Sequence, residues 1–296
     1  MTVTPESFAQ GLVFGLLVGA LYGLAAAGLS LVFGVMKVLN VAHGDLLMVG
    51  GYFSFWLFTL YGVDPFVSLI IVGPALFAIG LVLELGLFRP LQRFDEETKI
   101  KNSLLIGFGL ALVLENLAIR LWSADERGIT TGYAGSVLRL GAISVPLDRL
   151  GNLAVAIAVV VALHLFLTRT YLGKGIRATA EDWQAATLVG IDVRRTYLIA
   201  FALGTALAGV AGTLVTVGFA VSPGIGLDWT LKALIVVVLA GLGSVFGTFV
   251  GGLLLGVGEA TVALIPNGGS YRELVGLVLF VVVMLVRPQG LFGRNR

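Results

Sequence analysis

The stretch Ser7-Phe-Ala-Gln-Gly11-Leu-Val-Phe-Gly15-Leu-Leu-Val-Gly19-Ala-Leu-Tyr22-Gly23-Leu-Ala-Ala-Ala-Gly28-Leu-Ser-Leu-Val-Phe-Gly34-Val-Met36 contains no charged residue. A bilayer core about 30 Å thick is crossed by roughly 20 helical residues at about 1.5 Å each. This run exceeds that length and lacks the strict alternation of a barrel strand. In lipid only a helix or a closed barrel satisfies every backbone N–H and C=O. The run therefore predicts a membrane-spanning helix. Its first basic residue, Lys37, comes after the apolar stretch rather than before it, so a cleaved signal peptide is not expected.

Further uncharged runs of spanning length occupy 46–63, 65–83, 150–168, 196–227 and 233–258, and shorter runs broken by one acid occupy 102–119 and 274–286. Only 12% of the 296 residues are charged, against about 25% in soluble domains, while 58% are hydrophobic. So few charges would not cover a soluble globule. The composition excludes a soluble enzyme, a disordered chain and a nucleic-acid module. The expected fold is an all-α, polytopic membrane helical bundle of eight or nine spans, with a broken or re-entrant helix, forming a single domain over 1–296.

Lys37 and three segments, 89–101, 169–195 and the end from Arg287, hold most of the 19 basic residues. They are expected to face the cytoplasm. The segment 123–150, strand-like over 137–145, and the base-free N-terminus are expected outside. A cytoplasmic C-terminus then requires 229–266 to enter and return, as one short and one full helix broken around Gly241, Gly243 and Ser244. Glycines number 41, about twice the usual ~7%. Gly11, Gly15, Gly19 and Gly23 repeat along one helix face, as do Gly247, Gly251 and Gly252, Gly256. Such spacing lets helix backbones approach closely, within the chain or at a dimer seam. An internal echo pairs Gly28-Leu-Ser-Leu-Val-Phe-Gly34 with Gly241-Leu-Gly-Ser-Val-Phe-Gly247.

The chain has no cysteine, and its two histidines, His43 and His164, do not make a metal cluster. Lys174 sits in Gly-Lys-Gly without the other residues of a phosphate-binding loop, so ATP hydrolysis is not expected of this chain. Acids within apolar runs are costly and invite a functional reading. Glu84 pairs with Arg89 near the membrane edge or acts further in. Glu115, with Asn116 beside it and Arg120 following, forms a local pair or a gate. Glu259 is either a polar anchor or part of a path, and His164 suits an interfacial hydrogen bond. Asn40-Val-Ala-His43-Gly44-Asp45 reads either as helix capping or as a helix start facing a translocation path.

The polar stretch 173–192 holds a short helical pattern. Glu181 or Asp182 suits its start and Gly190 its stop. The small pair Ala185 and Ala186 gives it a narrow face for a partner's groove, flanked by Leu188 and Ile191. An interfacial helix on lipid is the alternative, and the acidic start disfavours it.

Gln184-Ala185-Ala186, three residues, then Gly190 resembles the coupling loop of ABC-importer permeases, with Gln184 where that pattern has Glu. Gly28 to Met36, Asn40-Val-Ala-His43-Gly44-Asp45 through Met48, Gly50 and Tyr52, Gly175-Ile-Arg177-Ala-Thr-Ala, Leu239-Ala-Gly-Leu-Gly-Ser244 and Arg287-Pro-Gln-Gly-Leu-Phe-Gly293 together resemble a branched-chain amino-acid permease. The Asn40 to Asp45 start and the short C-terminus are similar to the smaller of two paired permease types.

The resemblance implies a larger partner permease, two ATPase subunits, an extracytoplasmic binding protein and a bacterial inner membrane, with no cofactor in this chain. It makes 169–195 a cytoplasmic coupling loop acting through Glu181, Asp182, Gln184, Ala185, Ala186, Leu188 and Gly190. The translocation path would include Asn40, His43, Asp45, Glu115, Asn116 and Glu259. Substrates in such a family span branched-chain and other amino acids, urea, amides and aromatic acids. The alternatives are a sugar-type ABC permease, disfavoured by Asn40 to Asp45, an ion-coupled secondary transporter, and a scaffold, for which buried polar residues would be purposeless.

Overall fold

A computed structural model describes residues 4–241, 243–265 and 268–293. Leu242 of the echo segment, Pro266, and the terminal Arg294 and Arg296 lie outside the described residues. Among the described residues eleven α-helices follow in order: α1 Pro5–Met36, α2 His43–Tyr61, α3 Pro65–Leu83, α4 Glu96–Trp122, α5 Leu147–Arg169, α6 Tyr171–Glu181, α7 Trp183–Leu188, α8 Val193–Gly218, α9 Ile225–Ala240, α10 Val245–Ala263 and α11 Arg272–Val286. A π turn, Glu84–Phe88, and a 3-10 turn, Arg89–Arg93, extend α3. Among the described residues, seven helices are long and apolar enough to cross a membrane. The expected eight or nine are therefore not reached by length and apolarity. Two further helices lie among the seven: α2, whose polar start dilutes its apolarity, and α9, with 16 residues.

Local chemistry sets the boundaries. Thr4 and Ser7 form a capping box ahead of Pro5. Asp64, Asp95, Asp192 and Ser244 cap α3, α4, α8 and α10 through their side chains. The break between α9 and α10 falls where the glycines predict it. Gly241 (φ 99°) and Gly243 (φ 91°) adopt backbone angles that a Cβ disfavours.

The core is built on α1, α8 and α10. A Cβ placed on Gly15 would lie 2.7 Å from the Val257 Cα, and one on Gly19 would lie 2.7 Å from the Gly252 carbonyl oxygen. The α1 glycine stripe is thus a seam within the chain, against Gly252 and Gly256 of α10. Gly251 departs from the expected stripe: it faces Ala240 and Val236 of α9. The two echo segments also meet, with Gly34 against Gly243. Around this core α3, α4 and α11 expose Ile70, Leu105 and Leu285, each at least 74% exposed, as helices facing lipid or a membrane partner would.

At the end where α1 begins, Val137–Leu140 and Ile143–Pro146 pair as an antiparallel hairpin within the otherwise helical fold. Gln10 exchanges hydrogen bonds with the Ser144 backbone at 2.7 and 2.8 Å. Tyr133 donates to Asp64 at 2.9 Å, and burial together with that carboxylate pushes its phenol up to about 12. The N-terminal helix end and 123–150 therefore share one end of the bundle. Lys37, Arg89, Lys99 and Arg194 gather at the other, around one cavity.

Candidate functional sites: a surface helix, a helix junction and a buried ion pair

Asp182 opens α7 by accepting from the Gln184 and Ala185 amides at 2.9 and 3.0 Å. Glu181, the other expected start, instead closes α6. Gly190, at φ 83°, ends the turn: its amide donates to the Thr187 carbonyl at 3.1 Å, and that of Ile191 to Ala186 at 3.0 Å. The alanine pair divides. Ala186 is buried in this chain, whereas Gln184 and Ala185 face outward. Consecutive helix residues lie about 100° apart, so one narrow face does not hold both alanines. The outward face is instead led by Leu188, 89% exposed, and by Trp183, which sequence reading passed over. Beside it lies a cavity of about 1130 Å³ between α7 and the turn after α3, lined by both basic and acidic side chains.

The connection from α1 to α2 turns back along α1. The His43 Nε2–H donates to the Ala25 carbonyl at 2.8 Å, so α2 begins beside the middle of α1 rather than at its end. Asn40, His43 and Asp45 are all buried. The capping reading does not hold, because Ala42 occupies the cap position without a side-chain bond. Asn40 instead accepts from the Ala42 amide at 3.2 Å in the preceding turn. Thr230 of α9, another residue missed from sequence, clasps the junction. Its hydroxyl accepts from the Gly44 amide and donates to the Val41 carbonyl, both at 2.8 Å.

Asp45 packs against Gly226 and lies within electrostatic reach of Glu115. Glu115 forms no ion pair with Arg120 among the described residues, and Asn116 is exposed, donating to the Leu112 carbonyl of its own helix at 2.8 Å. Glu84 accepts from Gln92 at 2.6 Å rather than pairing with Arg89. His164 sits exposed, its ring edge-on to Phe246.

Glu259 belongs to a separate cluster. Tyr22 donates to its Oε2 at 2.9 Å, and Lys232 donates to its Oε1 at 3.1 Å and to the Tyr22 hydroxyl at 3.0 Å. The Glu259 side chain is 4% exposed and that of Lys232 25%. The Lys232 ammonium also lies 4.8 Å from the Tyr22 ring centre. One signal for this triad was present in the sequence: Lys232 is a lone base between the apolar runs 196–227 and 233–258.

A bundle of long apolar helices holding a buried polar junction and a buried ion pair defines a multi-pass membrane protein. The family of permease components of branched-chain amino acid transport systems matches residues 11–286, and the chain belongs to it. Among curated relatives, it is similar to the high-affinity branched-chain amino acid transport system permease protein BraD of Pseudomonas aeruginosa. The two are 32% identical, across 97% of this chain and 96% of BraD. LivH of Salmonella typhimurium, a permease protein of the same description, is 30% identical over the same shares. LivM of Escherichia coli is 28% identical over 93% of this chain but only 68% of LivM. The chain is thus of the smaller permease type.

Proposed function

We propose that this chain forms half of the translocation path of an ABC importer for branched-chain amino acids, paired with a larger permease. Two ATPases at its basic end and a binding protein at the opposite end would complete the assembly. ATP hydrolysis belongs to the partners. The bacterial inner membrane would hold it with the α1 start outside and the C-terminal end in the cytoplasm, as the grouping of Lys37, Arg89, Lys99 and Arg194 at one end favours.

The observation that carries the coupling reading is the capped, outward-facing α7 with Leu188 exposed beside the cavity at that end. Within 169–195, Glu181, Asp182, Gln184, Ala185, Leu188 and Gly190 would meet or shape the ATPase contact, and Ala186 would anchor it from beneath. Asn40, His43, Asp45, Glu115 and Glu259 would belong to the path. Asn116, exposed on α4, would join the path from that helix. An aspartate in place of an apolar residue seated in a partner's groove would bury an unpaired charge, which is costly. Leu188→Asp should therefore reduce co-purification of the ATPases about tenfold or more and leave the thermal melt unchanged. Retention of the ATPases by Leu188→Asp would reject this role. Uptake driven by an ion gradient in vesicles without ATP would favour the secondary-transporter alternative.

A further inference from the structure

A second cavity, of about 660 Å³, lies between α1, α5, α9, α10 and the start of α11. Its size falls within the ~300–1,000 Å³ of small-molecule sites. Phe14, Val18 and Phe219 supply apolar lining; Arg149, Lys232 and Arg272 bring positive charge, and Glu259 and Glu273 negative charge. These groups are not equally available. Lys232 and Glu259 engage each other and Tyr22. Arg149 lies with its guanidinium 4.9 Å from the Phe14 ring centre and 5.2 Å from that of Phe219. The guanidinium packs against both rings, and among the described residues no hydrogen bond or ion pair engages its N–H donors.

A planar guanidinium presents paired donors that match a carboxylate. Glu273, at the start of α11, supplies an acceptor for an ammonium group in the same cavity. In the same cavity Phe14, Val18 and Phe219 offer a surface for a compact aliphatic side chain. Glu259 is neutralised by Lys232, so Glu273 is the acid that opposes a phosphate headgroup, whereas a dipolar ligand would use both signs of charge. Resting on the importer reading above, we propose that this cavity binds the zwitterion of a branched aliphatic α-amino acid. Arg149 receives the carboxylate, Glu273 the ammonium, and the Phe14–Val18–Phe219 wall the side chain. Lys232, held by Glu259 and Tyr22, shapes the floor.

The chain has no native cysteine, so Val18→Cys in the full-length protein gives a single maleimide-reactive site inside the cavity. L-leucine should slow its labelling in membranes. Leucinamide, lacking the carboxylate, and 4-methylpentanoate, lacking the ammonium, should not. Adding Arg149→Gln should raise the half-protecting leucine concentration about tenfold or more, as loss of a charge-assisted pair implies, with Arg149→Lys falling between. Labelling unaffected by leucine, or protection unchanged by Arg149→Gln, would overturn the proposal. So would slowing by phosphatidylglycerol alone, which would assign the cavity to a lipid headgroup. ATP-driven leucine uptake by the importer containing the wild-type chain separates the two readings. Uptake with an unprotected cysteine overturns the cavity assignment only; protection without uptake overturns only the importer reading.

Discussion

Gly256→Leu should abolish folded protein: monodisperse material on size exclusion should fall about tenfold or more, with the remainder aggregated. The reason lies in what meets the added atoms. A Cβ on Gly256 would overlap the Gly15 carbonyl oxygen and the Gly19 backbone, and Gly252 faces Gly23 in the same way. Overpacking costs about 1–3 kcal/mol where side chains yield. Here both surfaces are backbone, so the helices must separate and α1 loses its closest neighbour. Gly109→Leu provides the control, because nothing lies within 4 Å of a Cβ there. It should express as wild type. Gly251→Leu, against Ala240 at 3.3 Å, should fall between. Equal yields from Gly256→Leu and Gly109→Leu would remove the seam from any account of stability.

Breaking the ion pair should produce the second large effect. Lys232→Met leaves the nearly inaccessible Glu259 carboxylate with only the Tyr22 hydroxyl, and Glu259→Gln leaves the Lys232 ammonium without its counter-ion. Removing one partner of a buried pair costs about 3–5 kcal/mol, whereas replacing both is often close to neutral. Each single variant should melt well below wild type in a lipid nanodisc, and Lys232→Met with Glu259→Gln should recover most of the loss. The double-variant melt decides it. Additive losses would mean that the two side chains act independently despite their 3.1 Å separation.

The membrane helices were legible because a bilayer imposes length and apolarity that a run such as 7–36 displays on its face. The break at 241–244 was legible for a local reason: Gly241 and Gly243 adopt positive φ that other residues resist. Asp182 and Gly190 likewise bound α7 through bonds to near neighbours. What stayed hidden depends on partners distant in sequence. The sequence of Asn40 to Asp45 leaves capping and a path-facing helix start both open, because Thr230, which clasps the junction, lies 186 residues from Gly44. Glu259 looked solitary because Lys232 and Tyr22 reach it from other helices. The orientation of Ala185 and Ala186 depends on the rotation of a six-residue helix with too little pattern to fix its face.

The Thr230 clasp also bears on how the protein is made. Its partners at Gly44 and Val41 precede it by 186 and 189 residues. While the chain emerges, the entrance to α2 has two backbone groups without their final partner, in surroundings where an unsatisfied group is expensive. The junction reaches its finished form only after α9 has been synthesised and delivered. Until Thr230 arrives with α9, the Gly44 amide and the Val41 carbonyl lack the hydroxyl that joins them. A chain stopped after α8 would therefore keep an unclasped junction at the entrance to α2.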